Sequence, residues 1–146
     1  MQYRRITVDD VEQVAAFAAI GLRPHLYPLL HVSMDKVRAV VKHFATSDSD
    51  FNLGAFVDGQ IVAGIAAVVQ PMLYHERSEC QVVMCRSESP GAGRHIIKAL
   101  RDWTDADMRI RRTSFAQEFD VDPRMLKLLA RYGFAHQQSV LHYYKG

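Results

Sequence analysis

Between residues 79 and 106 the hydrophobic period changes across a run of small residues, and this change constrains the fold more than any other feature of the chain. Glu79 to Cys85 reads as a strand with Val82, Val83 and Met84 at its centre. After Ser89-Pro90-Gly91-Ala92-Gly93, the apolar residues Ile96, Ile97, Leu100 and Trp103 recur at helical intervals. A strand that runs through glycines into a helix leaves backbone N–H groups without intrahelical partners at the positive end of the helix dipole. Ser89 to Arg94 are therefore a candidate phosphate cradle. Spacing excludes two glycine-loop types: Ile96 stands where the third glycine of G-x-G-x-x-G belongs, and the Gly-Lys-Ser/Thr of a P-loop is absent.

The flanking sequence supplies the other elements. Residues 1 to 6 form a short alternating strand, and Thr7 with Asp10 has capping-box spacing ahead of a helix reaching Ile20, with Val11, Val14, Ala15, Phe17 and Ala18 on its apolar stripe. Ser33 starts a second helix, with Val37, Val40, Val41 and Phe44 expected on one face until the turn-forming run 46–50. Residues 53–57 and 60–70 make a hairpin around Asp58-Gly59, a pair that tolerates the positive φ of a two-residue turn. Residues 108–119 read as a strand, Asp122-Pro123 opens a helix ending at Gly133-Phe134, and 137–145 close the chain as a strand. The order is β-α-α-β-β-β-α-β-α-β, which places 1–146 in one α/β domain.

Composition limits the function classes. With 146 residues, 49% apolar and 23% charged, the chain can bury one core, and a net charge of +2 is too small to indicate nucleic acid or a membrane surface. Arg109, Arg111 and Arg112 have no aromatic-rich basic platform around them, which argues further against nucleic acid. The longest apolar stretch, Ile61 to Val69, is about half a bilayer span, and the first residues lack a signal-peptide h-region, so a cytoplasmic location is expected. Cys80 and Cys85, five apart in one strand, are expected on opposite faces as two unbridged thiols acting as small hydrophobes.

The run Val83-Met84-Cys85-Arg86-Ser87-Glu88-Ser89-Pro90-Gly91-Ala92-Gly93 resembles the main motif of the GNAT superfamily of acetyl-CoA-dependent N-acyltransferases, Val-x-Pro-x-x-Gln/Arg-x-x-Gly-x-Gly/Ala. Valine and both glycines match, Cys85 replaces the common proline, and Glu88 replaces Gln/Arg. The element order is also that of the family, and the late helix from Asp122 to Gly133-Phe134 is similar to its second signature, with Leu129 where a thiolate-protonating tyrosine is usual. The resemblance implies a mixed central sheet flanked by helices, acetyl-CoA as cosubstrate, and an amine acceptor from a small molecule or peptide. It implies CoA contacts at Val83, Cys85, Ser89, Gly91, Ala92, Gly93, Arg94 and Asp122, with an oxyanion-binding N–H on the stretch Val83 to Cys85. A non-catalytic acyl-CoA-binding or protein-interaction module on the same fold is the alternative, and a homodimer is left open.

Amine attack on a thioester needs a proton acceptor, oxyanion donors and a proton for the thiolate. Glu79 shares a strand face with Gln81 and Val83, roughly 13 Å from Val83 along the strand, a reach suited to a water-relayed base. His75 and Glu76, in the turn before that strand, are further candidates, His75 because imidazole titrates near neutral pH. They do not form a zinc motif, since Glu79 stands where H-E-x-x-H needs its second histidine. His142, Tyr143 and Tyr144 are candidate proton donors to the thiolate, and His95 could approach a phosphate beside Arg94.

Overall fold

The computed structural model describes residues 1–22, 31–115 and 123–135. Its elements are β1 (Gln2–Arg4), a 3-10 turn (Val8–Asp10), α1 (Val11–Gly21), α2 (Met34–Thr46), β2 (Phe51–Val57), β3 (Gln60–Pro71), β4 (Ser78–Ser87), α3 (Pro90–Ala106), β5 (Ile110–Phe115) and α4 (Pro123–Arg131). The expected order holds through α4, and the expected closing strand at 137–145 lies outside the described residues. Thr7 does cap: the Asp10 carboxylate accepts from its N–H at 2.8 Å and from its hydroxyl at 3.0 Å. The cap opens the 3-10 turn, and α1 follows from Val11.

The five strands lie in sequence order, antiparallel from β1 to β4, while β4 and β5 are parallel and joined through α3. Asp58 and Gly59 turn the β2–β3 hairpin with φ of 49° and 78°, the left-handed conformation that Asp-Gly accepts. Helices cover both faces. On one side Val14, Phe17, Val41 and Phe44 of α1 and α2 pack on Phe56, Ala66 and Met84. On the other, Ala92, Ile96, Ile97 and Leu100 of α3, all fully buried, pack on Ala63, Ile65, Ala67, Cys80 and Val82. Each large aliphatic side chain so buried contributes roughly 1.5–3 kcal/mol. The alanines of β3 let both helical layers approach the sheet closely. In α2, Val37, Val41 and Phe44 are buried as expected, whereas Val40 is half exposed: it lies at the edge of the stripe, turned from the sheet.

Three bulges interrupt the ladders. Val62 of β3 lies between the pairs Ala55↔Ala63 and Phe56↔Ile61, Val83 of β4 between Ala67↔Val82 and Ala66↔Met84, and Arg111 of β5 between Ser78↔Ile110 and Glu79↔Arg112. An extra residue reverses the alternation of side chains beyond it. Val82 therefore faces α3, Val83 and Met84 both pack on the α1–α2 side, and Cys85 returns to the α3 side. The expectation that Cys80 and Cys85 face opposite ways fails for this reason: both join the cluster under α3. Both are free thiols, and burial pushes that of Cys80 up to about 12, so it remains a protonated, apolar group.

Candidate functional site

The candidate site begins at the β4 bulge. Val83 lies between the pairs Ala67↔Val82 and Ala66↔Met84, so its peptide sits outside the β3 register. A bulge leaves backbone groups outside the ladder and available to a ligand. The expected oxyanion position, Val83 to Cys85, falls on this stretch.

At the far end of β4 the chain is pinned into the helix. The Glu88 N–H donates to the carbonyl of Val62, the bulge residue of β3, at 2.8 Å. Ser87 Oγ accepts the Ser89 N–H at 3.1 Å and donates back to the Ser89 carbonyl at 2.5 Å. Ser89 is the extended N-cap of α3, with Pro90 in its first turn, and its carbonyl accepts the Gly93 N–H at 2.9 Å. The expected cradle is thus narrower than Ser89 to Arg94, because the N–H groups of Ser89 and Gly93 are already taken. Those of Gly91 and Ala92 fall in the first turn, where the helix itself supplies no acceptor. The two glycines also differ in surroundings. A Cβ on Gly91 would meet open space, whereas one on Gly93 would lie 3.3 Å from Cβ and Oγ of Ser87. A side chain at Gly93 would press on Ser87, whereas Gly91 leaves its backbone open to a ligand.

Glu88, the acidic residue in the motif, carries its own counter-ion. Arg86 Nη2 donates to Glu88 Oε1 at 2.9 Å, while Nη1 donates to the Phe17 carbonyl at 3.2 Å and the guanidinium lies 4.3 Å from the Phe17 ring centroid. Residues two apart on an extended chain share a side, which brings Arg86 and Glu88 together and ties α1 to the end of β4. Arg94 is exposed on α3, and the neighbouring His95 ring stacks on Tyr3 at 3.6 Å between centroids.

Glu79 lies at the opposite end of β4, half-buried between Gln70 of β3 and Arg112 of β5. Its Oε2 accepts from Arg112 Nε at 2.9 Å and Nη2 at 2.5 Å, and its Oε1 accepts from Gln70 Nε2 at 3.0 Å. The hydrogen bonds from Arg112, then that from Gln70, hold its carboxyl below the usual glutamate range. Both partners thus favour the ionised form of Glu79, which makes it a weaker base than a free glutamate. His75 and Glu76 are exposed in the turn between β3 and β4, which Met72 closes by donating its N–H to the Arg77 carbonyl at 3.0 Å. Leu129 is buried under α4 against the α3 layer, and Asp122 lies outside the described residues, as do His142, Tyr143 and Tyr144. Val83, Cys85, Ser89, Gly91, Ala92 and Gly93 thus follow one another along β4 into the head of α3, with Glu79 near the start of β4 and His75 in the turn before it.

Sequence reasoning missed the partners of the two acids. Arg86 was legible from i, i+2 spacing on a strand, whereas Arg112 meets Glu79 only because the Arg111 bulge shifts β5 by one residue.

Solved structures share this fold over nearly all of the chain. A ribosomal-protein-alanine N-acetyltransferase from Brucella melitensis biovar Abortus 2308 superposes with a TM-score of 0.65 at 18% identity, covering 99% of this chain and 100% of that one. An aminoglycoside N-acetyltransferase crystallised with CoA gives 0.70 at 16%, covering 99% and 93%. An acetyltransferase of the GNAT family from Streptococcus pneumoniae gives 0.65 at 15%, covering 90% and 82%. The chain has the GNAT acetyltransferase fold. No protein-family model and no curated protein matches the sequence. Among the described residues, no helix is long and apolar enough to cross a membrane.

Proposed function

We propose that the protein transfers an acetyl group from acetyl-CoA to an amine of a small molecule or peptide by direct attack in a ternary complex. The observation that carries this reading is the Val83 bulge in β4, followed along the same strand by the α3 cradle. A CoA pyrophosphate fits there: the Gly91 and Ala92 N–H groups lack intrahelical acceptors, and the space at Gly91 is open. A thioester oriented by that anchor lies along Val83 to Cys85, whose backbone N–H groups stabilise charge developing on the carbonyl oxygen. Glu79, ionised throughout the neutral range, receives the amine proton through water, and His75 and Glu76 stand nearby in chain order. A cytoplasmic location, where acetyl-CoA meets reduced thiols such as Cys80 and Cys85, belongs to the same proposal.

A second reading, a non-catalytic acyl-CoA-binding module, is favoured by one observation. Leu129, at the position of the family's proton-donating tyrosine, is an aliphatic core residue. Calorimetry with acetyl-CoA and a thiol-release assay over amines separate the two: both bind, and only the enzyme releases thiol in proportion to amine acetylated.

A further inference from the structure

Gln70 of β3 joins two residues of β4 through one amide group. Its Nε2 donates to Glu79 Oε1 at 3.0 Å and to Gln81 Oε1 at 3.3 Å, and all three side chains are half-buried. Gln70 pairs with Glu79 across the ladder, and Gln81 is its diagonal neighbour on the same face of β4, within reach of a long side chain. A carboxylate only accepts, so Gln70 must present its nitrogen, and Gln81 must meet that nitrogen with its oxygen. The Gln81 NH2 group is thereby turned away from Gln70 and kept as a donor. Glu79 is ordered as well: Arg112 of β5 donates twice to Oε2, so Oε1, on the Gln70 side, is the oxygen better able to take a proton. Gln81 lies two residues from Glu79 and two from the Val83 bulge, roughly 6.5 Å from each along the strand. It stands midway between the base and the position of the thioester.

We propose that Gln70 and Gln81 are the positioning residues of the proton path: Gln70 fixes Glu79 and Gln81 side by side, and the Gln81 amide holds the water that carries the amine proton to Glu79 Oε1. The inference rests on the acetyl-transfer reading. The ammonium form of the acceptor gives one proton to the water, which passes one of its own to Oε1, and the nitrogen attacks with the lone pair so released. The C–N bond forms as the C–S bond breaks, the sulfur leaves with the bonding pair and takes up the second nitrogen proton through solvent, and Glu79 returns its proton to bulk water. An amide does not itself relay the proton; it orients the water that does.

The test follows kcat and KM against pH for Gln81→Met and Gln70→Met at saturating acetyl-CoA, with the amine that gives the fastest thiol release in a panel that includes alaninamide, benzylamine and spermidine. Methionine keeps the length of glutamine and removes its hydrogen bonds. Gln81→Met is expected to lower kcat about tenfold below the pKa of the amine and little above it, with the KM for acetyl-CoA unchanged. Gln70→Met removes a hydrogen bond to the ionised Glu79 and should in addition move the acid limb of the profile to higher pH. In a Glu79→Gln background neither substitution should lower the rate further. A rate unchanged in Gln81→Met, or a loss equal above and below the pKa of the amine, overturns the inference and leaves acetyl transfer standing. Should Gln81→Met not fold, the acid limb of Gln70→Met and its additivity with Glu79→Gln decide the question. Absence of thiol release with every amine overturns both.

Discussion

Arg86 holds its guanidinium 2.9 Å from the Glu88 carboxylate, so the acidic residue in the glycine motif reaches the cradle with its charge already opposed. Sequence alone sets Glu88 against a pyrophosphate. The pair changes the expected outcome from repulsion by one residue to a balance between two.

Changing either member should tip that balance in a known direction. Glu88→Gln leaves Arg86 unopposed and is expected to tighten CoA binding, by no more than about fivefold because both groups are solvent-accessible. Arg86→Gln leaves Glu88 unopposed and should weaken binding by a similar factor, and the double variant should return close to wild type. Calorimetric dissociation constants at low and high salt check the cycle; identical values for all four proteins would show that neither side chain faces the ligand.

The two motif glycines should fail differently. Gly91→Val projects into open space and is expected to fold normally while weakening CoA binding by about tenfold or more, since the side chain stands over the free N–H groups. Gly93→Val meets Ser87 and should destabilise the fold by about 1–3 kcal/mol, read as a lower midpoint in urea. Equal stability for the two variants would contradict the packing described at Ser87.

Asp10 links the amino-terminal segment to acid stability. The Arg4 side chain donates to its carboxylate at 2.7 and 2.9 Å, and with the Thr7 hydrogen bonds this lowers its pKa from 3.8 to about 2. A carboxyl depressed in the folded state stabilises at pH values above its unfolded pKa, and that stability is lost as pH falls through the folded pKa. For nearly buried Asp10 the shift corresponds to about 2 kcal/mol, fully present above about pH 4 and disappearing toward pH 2. Urea unfolding as a function of pH should show this loss in wild type, with a smaller slope over the same interval in Asp10→Asn.

Glu79 gives a kinetic prediction of the same sign. Its carboxyl is held low by Arg112, so Arg112→Gln should move the acid limb of the pH–rate profile to higher pH, toward the usual glutamate range. Glu79→Gln should lower the rate most below the pKa of the amine and leave CoA affinity unchanged. A profile identical in all three proteins would remove Glu79 from the proton path.

Local chemistry made much of the fold legible: the Asp58-Gly59 turn, the Thr7–Asp10 cap and the change of period around Gly91 each depend on residues close in sequence. The bulges did not, because an extra residue is defined by the partner strand. Val83 consequently reversed the side chains beyond it and carried Cys85 to the face of Cys80, against simple alternation. At the site, the glycine loop could be read from sequence, whereas the engagement of the Ser89 and Gly93 N–H groups and the pairing of Glu79 with Arg112 depend on three-dimensional register.

The most direct measurement is thiol release from acetyl-CoA by the purified protein over a broad panel of amines, with acetylated product quantified by mass and Gly91→Val as control. Acetyl transfer at the β4 bulge predicts one thiol per acetylated amine, saturable in both substrates and strongly reduced in the folded control. Tight acetyl-CoA binding with no amine-dependent thiol release would contradict it and leave a binding module on an acetyltransferase fold.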